Sequence, residues 1–358
     1  MRVAVVGSGN GGVATAFDFA HHGHEVALFS PADHPANIDA VAEAGGISAS
    51  GDLEGFAPVV YAGHDAAQAL AGADLVMLVG PAYATESLTE AIRDHLQPGM
   101  AVVICPTSTS GSIVFKKVAG LPLTDESILV GETSTLPYAV RVTQPGTVRV
   151  FLKLRAGLYL AGLPRSGTDR LYEMLHGVYP AVEKAESVFQ TTLQNGNPVI
   201  HPAVTILNAG LIERTHGAFL FYEEGVTEAV GRLIEAVDLE RLAIASAMGV
   251  RVLSEPELGS AQGYMEELNY STGYSTAPGF LGIGAQHQLD NRYLTEDVGY
   301  GLVFLTDLAR RIGVPTPAMD SVITIAGVLL ARDFRAEGTR TLATLGLDGL
   351  SPAELAAL

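Results

Sequence analysis

Two short segments in the second half of the chain carry side chains that could perform acid–base and anion-binding chemistry. The first, 195–202, contains His201, and the second, 291–301, contains Arg292 and Asp297. A histidine can act as a general acid and base near neutral pH, and a nearby carboxylate would orient it. An arginine presents a planar fork that matches a carboxylate. The same residues also suit a packed histidine, a surface arginine and an acidic helix cap, so the sequence pattern leaves both interpretations open.

A glycine-rich turn near the N-terminus is suited to holding a pyrophosphate. The run Gly7-Ser8-Gly9-Asn10-Gly11-Gly12 follows the apolar segment Arg2–Val6 and precedes a helical pattern. The first glycine permits a tight turn, the second lets the backbone approach phosphates, and the third lets the helix pack close to the strand. Such a turn can also serve packing alone. A second apolar strand at 25–29 completes a βαβ unit, however, so we predict that these six residues bind a dinucleotide.

Apolar strands and helical patterns alternate through the first half of the chain. The predicted strands include 58–61, 74–80 and 101–105, and the predicted helices include 36–44, 66–73 and 85–96. This alternation is typical of a doubly wound α/β fold with a parallel sheet, the Rossmann type. The sequence therefore predicts an N-terminal domain of that class.

Strand patterns fade near residue 187, and long helical patterns follow, including 227–248 and 299–312. We therefore predict a dinucleotide-binding Rossmann domain at 1–186 and an all-helical substrate and catalytic domain at 187–358. Pro198 and Pro202 both suit the first turn of a helix.

Ligands of a doubly wound sheet bind beyond the carboxyl ends of its strands. Pro81 and Ala82 follow one such strand, and we predict that they lie along the sugar and nicotinamide of the cofactor. The hydroxyl-rich loop 107–110 follows another strand, where it could contact a ligand or cap the next helix.

Ser30 stands at the end of the second strand, where an acidic residue would bind the 2′-hydroxyl of NAD and repel a 2′-phosphate. No arginine or lysine follows closely to neutralise a phosphate. The cofactor prediction is therefore NADP or NAD, with a slight preference for NADP.

Composition and charge limit the classes of partner. The 358 residues carry 21 basic and 39 acidic side chains, a net charge of −18, which argues against nucleic acid or an anionic membrane. Cys105 is the only cysteine, so an intrachain disulfide or a cysteine zinc cluster is excluded, and we expect no metal. No apolar run approaches about 18 residues and no targeting segment is recognised, so we expect a cytoplasmic protein.

The chain resembles the opine dehydrogenases, and within them the bacterial N-(1-carboxyethyl)-norvaline dehydrogenase type, over nearly its full length. The matching segments are the glycine run at 7–12, Gly131-Glu132-Thr133-Ser134, Asn197 with His201-Pro202, Asn291-Arg292-Tyr293, Glu296-Asp297-Val298, Gly301-Leu302-Val303, Val314-Pro315-Thr316-Pro317 and the tail around Leu345-Gly346-Leu347 and Gly349-Leu350. The norvaline type is acidic at the position of Ser30, so its cofactor choice does not transfer.

The resemblance implies an NAD(P)H-dependent enzyme that condenses an α-keto acid such as pyruvate with the amino group of an amino acid or amine, and that catalyses the reverse oxidation. It places the catalytic pair on His201 and Asp297 and the substrate contacts on Arg292, Thr133 and Tyr293. A homodimer is the expected assembly.

Two other hypotheses share the predicted fold. A keto-acid or hydroxyacid reductase of the ketopantoate or 6-phosphogluconate-like clan would use a lysine early in its helical domain, whereas this chain has no lysine after Lys184. A non-catalytic dinucleotide sensor would bind the cofactor without turnover.

Overall fold

The computed structural model describes residues 1–338 and 340–358, which separate into two compact units. Met1–Thr191, with Leu358, form the first unit, and Thr192–Ala357 form the second. The functional ranges expected from the sequence, 1–186 for dinucleotide binding and 187–358 for substrate binding and catalysis, remain predictions.

The first unit alternates strands and helices. Its strands are β1 (Arg2–Val6), β2 (Glu25–Phe29), β3 (Gly46–Gly51), β4 (Gly55–Pro58), β5 (Tyr61–Gly63), β6 (Leu75–Leu78), β7 (Ala101–Ile104), β8 (Leu129–Thr133), β9 (Tyr138–Gln144), β10 (Thr147–Lys153), β11 (Leu158–Leu163) and β12 (Val182–Lys184). Its helices are α1 (Asn10–His21), α2 (Pro35–Ala44), α3 (Ala66–Leu70), α4 (Thr85–Ile92), α5 (Gly111–Val118), α6 (Thr168–Leu175) and α7 (Val188–Leu193), the last of which runs into the second unit.

The main sheet has the strand order β12-β11-β8-β7-β6-β1-β2-β5. From β8 to β5 all neighbours pair in parallel, which confirms the predicted Rossmann fold. Strands β1, β6 and β7 are buried along nearly their whole length, as expected where helices cover both faces. The parallel neighbours end together at the carboxyl edge, so the loops that follow them lie close to one another.

A second sheet, β4-β3-β10-β9, was not predicted. After β8 the chain enters the β9–β10 hairpin of this sheet and returns as β11, antiparallel to β8. The predicted strand at 58–61 is wrong: β4 ends at Pro58 and β5 begins at Tyr61, so these residues join the two sheets. A single sequence does not show where a strand breaks between two sheets or which partner each part pairs with.

The second unit is helical, as predicted. Its helices are α8 (Asn197–Leu207), α9 (Ala209–Thr215), α10 (Glu228–Met248), α11 (Glu255–Gln262), α12 (Thr272–Ser275), α13 (Arg292–Thr295), α14 (Val303–Ile312), α15 (Pro317–Leu330), α16 (Phe334–Glu337) and α17 (Pro352–Ala356). Within the described residues, no helix combines the length and the apolar character needed to cross a bilayer.

A buried polar network ties α10 to α11. The guanidinium of Arg241 bonds the carboxylate of Asp238 at 2.7 Å and the carbonyls of Leu193 and Leu253 at 2.6 and 2.7 Å. The other carboxylate oxygen of Asp238 accepts from the backbone N–H of Glu255 at 2.8 Å. Both charges therefore have the partners that burial requires.

The side chain of Glu255 lies beside this network and accepts from the hydroxyl of Tyr274 at 3.1 Å. Burial, reinforced by the negative charge of Asp238, raises the pKa of Glu255 to about 8. Its protonated form is thus favoured in the folded protein, whereas an unfolded glutamate ionises near pH 4.5.

Glu255 should make folding stability depend on pH. Its contribution is fully present below about pH 4.5 and is lost as the pH rises through about 8, since the folded pKa lies above the unfolded one. We predict that the unfolding temperature of the wild type falls between about pH 6 and about pH 9, and that Glu255→Gln falls less. The exposed Glu266→Gln is the matched control; equal pH slopes for all three proteins would contradict the assignment.

Candidate active site

His201 lies in the second turn of α8, in a fully apolar stretch of that helix. Pro198 occupies the first turn, as predicted, where its missing N–H costs no helical hydrogen bond. The prediction that Pro202 begins a helix is wrong, since Pro202 lies inside α8. A proline at that position donates no N–H to the carbonyl of Pro198.

Asp297 is brought to His201 from a distant part of the chain. Its carboxylate oxygen Oδ2 lies 2.8 Å from Nδ1 of His201, and the two residues are only 4% and 6% exposed. The carboxylate accepts the Nδ1 proton, so the neutral imidazole carries no proton on Nε2. The structure thus places together the two residues expected to form the catalytic pair.

A π-helical turn, Asp297–Leu302, presents Asp297. The carbonyl of Glu296 accepts from the N–H of Tyr300 at 2.8 Å and from that of Gly301 at 3.2 Å, and the second of these is the wide i→i+5 bond. A Cβ on Gly301 would lie 2.7 Å from Cγ of Pro198. The glycine therefore lets this turn approach α8 closely enough for the carboxylate to reach the imidazole.

Tyr293 and Arg292 lie next to this pair. The Tyr293 ring stacks on the imidazole of His201, with centroids 3.9 Å apart and planes 22° apart. Arg292 is half exposed at its side chain, and its Nε lies 3.7 Å from the buried carboxylate of Glu296. Three predicted residues of segment 291–301 are thus near His201. Asp297 and Tyr293 contact its ring, and Arg292 lies next to Tyr293.

Tyr222 completes the surroundings of His201 and was not predicted. Its hydroxyl lies 3.1 Å from Nε2 of the imidazole, and the residue is 5% exposed. Burial raises the pKa of the Tyr222 phenol well above its usual range, so it keeps its proton. The one signal in the sequence is the aromatic run Phe219-Leu220-Phe221-Tyr222 between α9 and α10, which by itself is typical of core packing.

In the first unit the glycine run has the geometry of a phosphate cradle. Gly7 has φ +112°, and a Cβ there would lie 2.1 Å from the carbonyl oxygen of Val79. A Cβ on Gly12 would lie 1.8 Å from the carbonyl oxygen of Gly7. Gly9 precedes α1 with an ordinary φ of −70°, and a Cβ there would meet nothing within 4 Å. The space over Gly9 and the amino end of α1 therefore fit a dinucleotide pyrophosphate.

Hydrogen bonds and packing with nearby residues hold the glycine-rich turn in place. The side-chain oxygen of Asn10 accepts from the N–H of Val142 at 2.7 Å, and the carbonyl of Ser8 accepts from the amide of Asn37 at 2.7 Å. Gly11 faces Leu136, since a Cβ there would lie 2.8 Å from that side chain. The side chain of Asn10 and the backbone carbonyl of Ser8 thus position the turn through contacts within this unit.

The remaining predicted cofactor residues, and the predicted substrate contact Thr133, lie at the carboxyl edge of the sheet. Ser30 follows β2 and is 2% exposed, and its carbonyl accepts from the imidazole of His64 at 2.7 Å. Pro81 and Ala82 follow β6, and Ala82 is buried. Thr133, the last residue of β8, is fully buried and its hydroxyl donates to the carbonyl of Thr135 at 3.0 Å.

A buried carboxylate supports the adjacent hydroxyl-rich loop. Glu132 accepts from the N–H of Ser112 at 2.8 Å and from the hydroxyl of Thr191 at 2.5 Å, and burial raises its pKa. In the loop, Ser108, Thr109 and Ser110 all have positive φ, a strained conformation for residues other than glycine. Thr107 caps α5, because its hydroxyl oxygen accepts from the N–H of Gly111 at 2.9 Å.

Across 1–338 and 340–358, no three His, Cys, Asp or Glu side chains are grouped so that they could hold a metal ion.

Comparison with known proteins assigns the two halves separately. Residues 184–330 match the family model described as NAD/NADP octopine/nopaline dehydrogenase, alpha-helical domain. Residues 2–108 match the NAD-dependent glycerol-3-phosphate dehydrogenase N-terminus. The opine dehydrogenase of Arthrobacter sp. (strain 1C) is 35% identical, over 98% of this chain and 96% of its own length.

The chain belongs to the opine dehydrogenase family. The vitopine synthase of Allorhizobium ampelinum is 30% identical over 98% of this chain and 97% of its own length. An octopine dehydrogenase structure in complex with NADH and agmatine superposes with a TM-score of 0.79, at 21% identity, over 100% of this chain and 98% of that one. This opine dehydrogenase family member is an NAD(P)-dependent oxidoreductase, which sets aside the sensor hypothesis.

The glycine geometry predicts opposite effects for two alanine substitutions. Gly12→Ala places a methyl group against the backbone of Gly7 and should lower the unfolding temperature measurably. Gly9→Ala meets no neighbour and keeps an allowed φ, so stability should stay within about 1 °C of the wild type, whereas affinity for NADH or NADPH should fall at least about tenfold. Calorimetry and fluorescence titration measure the two effects, and unchanged cofactor affinity in Gly9→Ala would contradict the proposed cradle.

Proposed function

We propose that this protein catalyses the NAD(P)H-dependent reductive condensation of an α-keto acid, pyruvate or a close analogue, with the amino group of an amino acid or amine. The buried hydrogen bond between His201 and Asp297 is the observation that carries the proposal. Membership of the opine dehydrogenase family supports it, because relatives at 35% and 30% identity are named for opine chemistry.

The cofactor role falls to 1–186 and the substrate role to 187–358 in this proposal. Gly7, Gly9 and Gly12 shape the cradle for the pyrophosphate, and Pro81 and Ala82 lie along the rest of the dinucleotide. When bound, the reduced nicotinamide supplies the hydride for the imine carbon. NADP is slightly preferred over NAD, since Ser30 offers no carboxylate to repel a 2′-phosphate.

His201 manages the protons of the condensation. The neutral imidazole takes a proton from the ammonium group at Nε2, and the free amine attacks the keto carbon. The hydroxyl of the adduct then leaves as water with that proton, so formation of the protonated imine from an ammonium substrate is proton-neutral. Hydride addition gives the neutral secondary amine, and one proton from solvent converts it to its ammonium form. Asp297 fixes the tautomer and orientation of the ring throughout.

Arg292 is proposed to anchor a substrate carboxylate, and Tyr293 and Thr133 to shape the substrate site. The half-exposed guanidinium of Arg292 and the stacking of Tyr293 on His201 support the first two assignments. For Thr133 the support is its place at the carboxyl edge of β8. An anchored, oriented reactant can lower a barrier by several kcal/mol through proximity alone.

We further propose a cytoplasmic homodimer. A single, buried thiol at Cys105 suits a reducing compartment, and two-fold dimers are the commonest oligomers. Light scattering of the purified protein reads its mass directly, and a monomeric mass would contradict the dimer.

Two substitutions should separate the proposed roles kinetically. His201→Gln should lower kcat by about 10²- to 10⁴-fold with cofactor affinity retained, because the proton donor is lost. Arg292→Ala should instead raise KM for the keto acid more than KM for NAD(P)H. His287→Gln, a surface histidine whose Nδ1 lies 2.8 Å from the carbonyl of His216, is the control and should resemble the wild type. Full turnover in His201→Gln, or an Arg292→Ala effect confined to cofactor KM, would contradict the respective role.

A further inference from the structure

We propose that Tyr222 is a positioning residue for His201, whose phenol holds the imidazole on the side opposite Asp297 and shares the nitrogen that exchanges protons with substrate. The inference rests on the proposed acid–base role of His201. It begins from one contact: the Tyr222 hydroxyl lies 3.1 Å from Nε2 while Asp297 lies 2.8 Å from Nδ1. Each ring nitrogen thus has a defined partner, and both partners are buried.

The direction of the second hydrogen bond follows from the first. A neutral imidazole has one N–H, and Asp297, whose carboxylate oxygen accepts, takes it at Nδ1. Nε2 must then accept, so the phenol of Tyr222 donates to it. When His201 carries a second proton, Nε2 donates and the same phenol oxygen accepts. A hydroxyl can serve both protonation states of an acid–base residue, whereas a phenyl ring serves neither.

The phenol is held in place by an aromatic stack. The Tyr222 ring stacks on Phe280 with centroids 4.3 Å apart and planes 15° apart, and Tyr264 stacks on the same Phe280 at 5.0 Å. The imidazole itself stacks on Tyr293 at 3.9 Å. Stacking on Tyr293 therefore fixes the plane of the His201 ring, and the hydrogen bonds to Asp297 and Tyr222 fix the positions of its two nitrogens.

Backbone pairing fixes the segment that carries Tyr222. The N–H of Phe221 donates to the carbonyl of Ile283 at 2.8 Å, and that of Ala285 donates to the carbonyl of Phe219 at 3.0 Å. The two segments form an antiparallel bridge between Leu220 and Gly284. Tyr222 directly follows this pairing, and the carbonyl of Phe280 accepts from the N–H of Ile283 at 3.3 Å, so both stacked rings are attached to the same bridge.

Charged and titratable groups face the His201–Tyr222 pair from several elements. They are Asp297 on the π-helical turn, Tyr293, Arg292 and Glu296 around α13, Glu255 on α11, and Tyr264 after it. Asp297 and Tyr222 each form a hydrogen bond with one ring nitrogen of His201. Loss of the Tyr222 hydroxyl should therefore act on the imidazole directly.

Tyr222→Phe tests the proposal, with Tyr264→Phe as the matched control because it loses a hydroxyl from the same stack. We expect Tyr222→Phe to lower kcat roughly tenfold, the loss of about one hydrogen bond, with KM for NAD(P)H unchanged. Nitrogen-15 spectra of labelled histidine should show the Nδ1–H tautomer for His201 in all three proteins, because Asp297 fixes it. The chemical shift of Nε2, which reports the hydrogen bond that this nitrogen accepts, should change in Tyr222→Phe and stay at its wild-type value in Tyr264→Phe. The His201 signals are those missing in His201→Gln.

A Tyr222→Phe enzyme with wild-type kcat and an unchanged Nε2 shift would overturn the positioning role. If it loses stability but its kcat and Nε2 shift match those of Tyr264→Phe, the role is packing alone, and the proposal also fails. Failure of the acid–base proposal looks different, since His201→Gln would then retain full turnover whatever Tyr222→Phe does.

Discussion

The hydrogen bond between the carboxylate of Asp297 and the imidazole of His201 is the interaction on which the helical unit depends. Two ionisable groups separated by 96 positions in sequence are held 2.8 Å apart where water is largely excluded. Losing one member of such a buried pair commonly costs about 3–5 kcal/mol, because the other is left uncompensated. The π-helical turn, the absence of a side chain at Gly301 and the apolar run of α8 are all arranged so that this contact can form.

In the proposed reaction, the same contact also determines which ring nitrogen of His201 exchanges protons. A carboxylate at Nδ1 commits the neutral ring to one tautomer and leaves Nε2 as the working nitrogen. Condensing an ammonium compound with a keto acid and reducing the protonated imine consumes one proton per turnover overall, and the protons that leave in water come from the ammonium group. A single well-oriented imidazole can serve both transfers, so the helical unit has no need of a lysine, and none follows Lys184.

The sequence was most informative where steric or chemical needs leave few choices. The glycine run and the alternating strands were recognised because backbone approach and burial on both faces restrict residue type. The segments around His201 and Asp297 left acid–base and packing roles open, and the resemblance to the opine dehydrogenases pointed to a catalytic pair. The pairing of β3 with β10, the antiparallel return of β11 and the interior position of Pro202 could not be predicted. They depend on tertiary partners that no local pattern specifies. Tyr222 was missed for the same reason, since a buried tyrosine in an aromatic run has the pattern of core packing until its hydroxyl is seen at Nε2.

The most direct test of the account is whether reduction of the keto acid requires the amine. The purified protein would be incubated with pyruvate and NADH or NADPH, with and without a panel of ¹⁵N-labelled amino acids and simple amines, and products would be identified by mass spectrometry. The account predicts that cofactor oxidation depends on an amine and yields a ¹⁵N-containing secondary amine that joins the two substrates. Equal oxidation without any amine, with a hydroxy acid as product, would contradict it.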